Sequence, residues 1–544
     1  MKKFNTRKKI ILTFLMIFSL ILLSGCGGSG SSNNEVDKVQ NEQLGYIDGY
    51  VFETAEGYTL EEDKGVRGAE GVSVEIDGVI YNTNNEGYFK SNGLISGYQY
   101  SVNIVIDKDK NNEPDFVWSE NIIVQTNSTI NINKQEIEKE WNIIMFISDK
   151  SSSLDEAVSY FLETVNYKNN INHLNFFIIH GKYKDGVESH KAYYLTGDGK
   201  VEIKDYGIIN FSDPSFYRTE IKKIHDKFPA KRTMVTIQSH GNGWAFTGNP
   251  GTSQNWLAAD TAYADKLEAE GSINVDFTLD SFDIYDIFYN IGFNIEIFNM
   301  SACHMGQIEV ISDFPDNIDY VLASPSFGYT TDMYVHKDVM RDISSGIFDP
   351  KTISKKYVDH YVESLDNNSY GSYPSVKAVY DIKEVNYFVD IFSGISNELN
   401  TLFLANSSIR TEFQNYVLKS HENIQSYFDS SLDFEQIQGK DLMGILRYLR
   451  DNPSLYGSII ADKASEAYGV LNNIVVYQNY SKGFENLYYD GVNPNQDKFT
   501  YKNNNGIAIN VKDYYDYQDT WFNQKTNWYK VLEQVSVNYQ VNID

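Results

Sequence analysis

Residues 296–314 read EIFNMSACHMGQIEVISDF, an apolar run that closes on the small residues Ser301, Ala302 and Cys303 and passes beyond Gly306 into a helical-looking stretch. Upstream, residues 232–244 read RTMVTIQSHGNGW, a second apolar run that closes on His240 between a serine and a glycine. Short apolar runs bounded by turn residues read as strands buried on both faces. WNIIMFIS (141–148) and LNFFIIH (174–180) are two more. Between the runs lie SLDEAVSYFLETVNY (153–167), PSFYRTEIKKIHDKF (214–228) and TLDSFDIYDIFYNI (278–291), which are helical in pattern. The first of these opens on Ser-x-x-Glu at Ser153, a helix-start signal. Strands alternating with helices predict an α/β unit from residue 137 onward, with a mostly parallel sheet flanked by helices. In such sheets chemistry gathers beyond the carboxyl ends of the strands. His240 and Cys303 both stand at such ends, so the fold can bring together two residues far apart in sequence, as nucleophilic catalysis requires.

The pattern is different before residues 133–140. YIDGYVFE, GVSVEIDGVIYNT, GYFKSNG, YQYSVNIVID and NIIVQTNSTINI alternate apolar and polar positions between Gly- and Asn-rich turns, which predicts a small all-β sandwich over residues 45–136. The order of these segments resembles carboxypeptidase-regulatory-like and related prealbumin-like modules, which implies a spacer. Within it, DKDKNNEPDFVW (107–118) sets Asp107, Asp109, Asn111 and Asp115 at calcium-loop intervals. Asn112 and Trp118 stand where such a loop needs Gly and a bidentate Glu, so the segment reads as a solvated acidic turn ahead of a calcium site. No metal ligand is assigned and no cofactor is required; calcium stays open.

The first 25 residues place five basic side chains ahead of an apolar run from Ile10 to Leu23, the layout of an export signal too short to span a membrane comfortably. Leu23-Ser24-Gly25-Cys26 resembles the lipobox of bacterial lipoproteins, which implies cleavage before Cys26 and a lipid on its sulfur. Residues 26–44 then form a flexible tether, and the protein sits in the cell envelope, lipid-anchored and extracytoplasmic. Cys26 and Cys303 are the two cysteines of the chain. With Cys26 lipidated, Cys303 has no disulfide partner in its own chain, leaving either a reactive thiol or a buried inert one. A net charge of -28 over 544 residues, made more negative by loss of the leader, argues against a nucleic-acid partner.

Several blocks taken in order decide between those two readings of Cys303. WNIIMFISD, YGIINFSDPSFYRTEIKKIHDKFPAKRTMVTIQSHGNGW, FNMSACHMGQIEV and YVLASPSFGYTTDMY resemble successive blocks of the clostripain family of cysteine peptidases, caspase-like in fold. SVKAVYDIKEVNYFVDIFSGI is similar to the family's sheet-completing strand and following helix, and NNNGIAINVKDYYDYQD with WYKVLEQV to its C-terminal end. The resemblance implies a cysteine endopeptidase acting on protein or peptide substrates. Cys303 is then the nucleophile, aided by the start of the following helix, and His240 the base. The peptide N–H groups of Gly241 and Cys303 serve as the oxyanion hole. His304 is taken as a surface or pocket residue. Relatives commonly carry Asp two residues before the nucleophile, where it helps bind a basic side chain; this chain has Ser301. Ser301 and Asp332, the latter expected in a loop, are the candidate substrate-binding residues. The long acidic segment 247–279 is where relatives cut themselves, with Lys266 as a candidate cleavage point. The competing reading is a non-catalytic surface protein that binds a partner through a peptidase-like scaffold.

Overall fold

The computed structural model describes residues 44–53, 67–68, 71–106, 116–125, 129–136, 139–147, 152–165, 173–184, 187–196, 199–207, 209–239, 241, 279, 281–326, 328, 332–367, 375–419, 439–482, 505–511, 517–518 and 520–535. The leader, Cys26, the tether, the acidic turn 107–115, His240 and Lys266 lie outside them. No helix among the described residues is long and apolar enough to cross a membrane.

Every regular element described between residues 44 and 136 is a strand. A five-stranded sheet is built on Leu44–Glu53, and a four-stranded sheet runs in the order Val79–Asn82, Ser73–Ile76, Gln99–Ile106, Phe116–Ile123. The period of two in the sequence becomes a division of faces. Val74 and Ile76 are buried while Ser73 between the turns is exposed, and Ile47 of the first sheet joins Val74, Val102 and Ile104 of the second in one apolar cluster.

From residue 141 the chain builds a nine-stranded sheet. Its strands are β1 (Trp141–Ile147), β2 (Leu174–Lys184), β3 (Val187–Thr196), β4 (Gly199–Gly207), β5 (Thr233–Gln238), β6 (Ile295–Ser301), β7 (Ile318–Ala323), β8 (Val376–Asp381) and β10 (Val475–Tyr480). A separate ladder pairs β9 (Gly439–Asp441) with β11 (Ala508–Asn510). The order in the large sheet is β4-β3-β2-β1-β5-β6-β7-β8-β10. The five central strands β2, β1, β5, β6 and β7 are parallel, and antiparallel strands extend both edges.

Successive residues of the central strands enter opposite cores, which is why these strands read as largely apolar runs without alternation. Ile144, Phe146, Val235, Ile237, Phe298 and Met300 face one cluster; Ile143, Met145, Met234 and Ile297 face the other. The first is closed by helices α2 (Pro214–Lys227), α3 (Ser281–Phe288), α7 (Val385–Ala405), α8 (Ser458–Ile474) and α9 (Trp528–Val535). The second is closed by α1 (Ser152–Thr164), α5 (Asp332–Ser344) and α6 (Pro350–Asp366). Local sequence sets the helix starts: Asp213 precedes Pro214 and accepts the Ser215 N–H at 2.8 Å.

The hairpin β3–β4 and the outermost strand β10 have no counterpart in the sequence reading, which had β8 completing the sheet. On β4, Lys200, Glu202 and Asp205 are exposed, and Lys191 of β3 reaches Glu202 at 2.8 Å. Such charges protect a sheet edge from further pairing, and they also hide the strand's apolar signal.

Candidate active site

Strands β5 and β6 end side by side, with Gln238 in register with Ser301 and the Ser239 N–H donating to the Ser301 carbonyl at 3.2 Å. A methyl group placed on Gly241 would lie 2.6 Å from the Cys303 carbonyl oxygen, 2.7 Å from Ala302 Cβ and 3.2 Å from Met305 Sδ. The backbone at Gly241 therefore rests directly on the turn that carries Cys303. Both sequence neighbours of His240 touch that turn or the strand leading into it; His240 itself lies outside the described residues.

The other side of the turn is lined by the segment that follows β7 (Ile318–Ala323). His304 N–H donates to the Ser326 carbonyl and Gly306 N–H to the Ser324 carbonyl, each at 2.8 Å. Gly328 continues the alternation with the cysteine side chain as its partner. Its N–H points at Cys303 Sγ at 3.3 Å, and the thiol donates to its carbonyl at 3.4 Å. A methyl on Gly328 would sit 2.8 Å from the Ala302 carbonyl oxygen. Ser326 is held in turn by β8, whose Val376 N–H donates to its hydroxyl at 3.0 Å.

Burial pushes the Cys303 thiol above its ordinary value, opposed by the Gly328 N–H. The expected help from a helix start is not present. The helix α4 that follows, Ile308–Ile311, has four residues and begins five positions beyond Cys303, too short and too far for its dipole to act at sulfur. His304 is buried, at 4% exposure, and so is not a surface residue. Its φ of 62° is left-handed, a conformation costing a non-glycine residue about 1 kcal/mol that only a well-held turn retains. Burial drives its imidazole well below the ordinary value, against the opposing effect of a hydrogen bond with the Pro325 backbone, so the ring is neutral.

Ser301 is the last residue of β6 and is 6% exposed. Gln238 beside it is buried and its amide has no hydrogen-bond partner among the described residues, so the paired strand ends carry a hydroxyl and an amide. Asp332 is the first residue of α5, correcting the loop expected there. The run DMYVHKDVM is amphipathic, and its Met333, Val335 and Val339 are drawn into the core. Beneath Ser301 a buried polar network ties the two strands to α5 and α6: Thr236 Oγ1 and His336 Nε2 are 3.0 Å apart, and Asn299 Nδ2 donates to the Tyr357 hydroxyl at 2.9 Å.

A sequence model of the clostripain family, peptidase family C11, matches residues 146–534. The chain belongs to the clostripain family. It is a cysteine peptidase. Among solved structures, a secreted C11 cysteine protease from Bacteroides thetaiotaomicron, iotapain, is 16% identical, with 72% of this chain and 100% of that chain covered at a TM-score of 0.48. A secreted C11 protease of the same species in complex with an irreversible peptide inhibitor is 17% identical, with 73% and 99% covered at 0.47. An inactive zymogen C11 protease from Parabacteroides distasonis is 14% identical, with 72% and 99% covered at 0.47. No curated protein matches the chain.

Two residues that sequence reasoning missed stand at this clostripain-family site. Gly328 meets Cys303 across 25 positions of chain, a contact with no local signature. Glu309, on α4, has the spacing of a solvated helix face, yet it is 1% exposed. Burial raises its carboxyl from 4.5 to about 7, against the Asn510 N–H and the Tyr517 hydroxyl. A raised acid pKa means that the folded state holds the proton more tightly than the unfolded chain. Stability is therefore fully present below about pH 4.5 and is lost as pH rises toward 7, by about 3 kcal/mol at most. Chemical denaturation from pH 4 to 8 should show this decline in the wild type and a flatter profile in Glu309→Gln. Parallel profiles in the two proteins would contradict it.

Proposed function

We propose that this peptidase is an extracytoplasmic cysteine endopeptidase that hydrolyses peptide bonds through Cys303 and His240. The observation carrying this reading is the packing of Gly241, the residue that follows His240 in the sequence, on the Cys303 carbonyl. Cys303 Sγ adds to the substrate carbonyl carbon while its proton passes to the His240 imidazole. The oxyanion takes the N–H groups of Gly241 and Cys303. Collapse of the tetrahedral adduct breaks the C–N bond, and the imidazolium gives its proton to the departing amine. Water, deprotonated by His240, then cleaves the thioester, releasing the acid and restoring the thiol. An electrophilic peptide probe tests this: it should modify the wild type at Cys303 and leave Cys303→Ala unlabelled. Equal labelling of both would refute the assignment.

Substrate preference follows from the strand ends. Ser301 and Gln238 offer a hydroxyl and an amide where a carboxylate would pair with Arg or Lys, so preference for basic residues before the cut is weak. Ser301→Asp should move relative kcat/KM toward Arg and Lys substrates, by an amount of about 1–3 kcal/mol in a peptide-library profile. An unchanged profile would remove Ser301 from the pocket.

The leader and Cys26 support a lipid tether to the membrane. Cys26→Ala should move the protein from the detergent phase to the aqueous phase on partitioning. Retention in detergent would argue against the tether.

A further inference from the structure

The residues just after the nucleophile turn meet the C-terminal part of the chain along one line. Gln307 bridges Ala508 in parallel sense, and the Ala508 N–H donates to the Gly306 carbonyl at 3.0 Å. Two residues on, and therefore pointing the same way from an extended strand, the Asn510 N–H faces α4, where the chain after Gln307 has turned helical. Glu309 Oε1 accepts it at 2.8 Å. The same oxygen accepts the Tyr517 hydroxyl at 2.8 Å. On its other edge β11 pairs with β9, and Trp528 Nε1 donates to the Asn510 carbonyl at 2.9 Å. The Tyr380 hydroxyl of β8 donates to the Gly506 carbonyl and lies 3.5 Å from that of Gly306. Gly306 has no room to shift: a methyl there would meet the Pro325 nitrogen at 2.6 Å.

We infer that residues 506–511, anchored by Glu309, form a strap that positions Cys303, with Glu309 as the positioning residue. The turn from Cys303 to Gly306 is held at its start by the β6 ladder, along one side by the segment after β7, and at its end by the strap. Between those ends stands His304 in a left-handed conformation, which persists only where the surroundings dictate it. Releasing the Glu309 end frees the strap from α4 and lets the turn relax, moving sulfur relative to the oxyanion donors. Misplacement of reacting groups by about 1 Å costs up to about a hundredfold in rate. The inference rests on the reading of Cys303 as nucleophile.

The test uses the full chain, an internally quenched peptide that the wild type cleaves, and iodoacetamide as a probe of the thiol. Glu309→Ala, measured while folded by near-ultraviolet circular dichroism, should lower kcat by about tenfold to a hundredfold with KM unchanged. It should also alter the pH profile of Cys303 alkylation. Glu309→Gln keeps an oxygen for Asn510 and Tyr517 and should recover most of kcat. Wild-type kcat and alkylation in folded Glu309→Ala would overturn the inference, as would a Glu309→Gln as impaired as Glu309→Ala. Should Glu309→Ala not fold, Tyr517→Phe decides: a fall in kcat at constant KM supports the strap, and wild-type kcat refutes it. Hydrolysis persisting in Cys303→Ala would instead strike the underlying reading of the nucleophile, a result separate from all of these.

Discussion

Cys303→Ala is expected to lower kcat for peptide hydrolysis by about 10⁴-fold or more, because nucleophile and base act as a unit and loss of either forfeits the covalent route. Its effect on stability should be small. Cys303 as a residue is partly exposed, and removal of its sulfur leaves one peptide group, that of Gly328, without its side-chain partner. A change of about 1 kcal/mol is what such a loss produces. Kinetics and thermal unfolding of the same preparation check both statements. Turnover within about a hundredfold of wild type, with contaminating protease excluded, would exclude Cys303 as the nucleophile.

Gly241→Ala should lower activity less steeply, and for a different reason. Its φ lies outside the left-handed region, so the backbone tolerates alanine and the effect is purely steric. The new methyl would lie 2.6 Å from the Cys303 carbonyl oxygen and 2.7 Å from Ala302 Cβ. Neither belongs to a flexible side chain, so β5 and β6 must separate at their ends. Overpacking of this kind costs about 1–3 kcal/mol of stability, and displacement of the catalytic turn costs about a hundredfold in kcat/KM. Gly241→Ala with wild-type kcat/KM and melting temperature would show that the strand ends can part without consequence.

The site was legible in the sequence wherever chemistry coincides with a strand end. TMVTIQ is buried throughout and IEIFNMS at every position but Glu296, because both faces of each strand are covered, so neither alternates as a half-exposed strand would, and each stops where the candidate site begins. Cysteine scarcity then singled out Cys303. What was illegible is of three kinds. In β4, the run KVEIKDY turns Lys200, Glu202 and Asp205 to solvent because it is an edge, and that charge masks its single buried apolar residue, Ile203. Asp332 stands after two threonines and reads as loop; only packing of Met333 and Val335 against the sheet makes it a helix start. Glu309 and Gly328 acquire their roles from partners far along the chain, and nothing in QIEVISDF separates a buried carboxylate from a solvated one.

The ladder between Glu309 and the C-terminal segment also sets an order of assembly. Its two bonds close loops of 201 and 208 residues, whereas β1, β5 and β6 come together over shorter stretches of chain. Contacts at such separation carry the largest closure entropy and form late. They cannot exist at all until residues 510 and 517 have emerged from the ribosome. The peptide that surrounds the thiol is therefore completed only once those residues are made, and a chain that stops short of them presents Cys303 on a turn held by β6 and by the segment after β7 but without its strap.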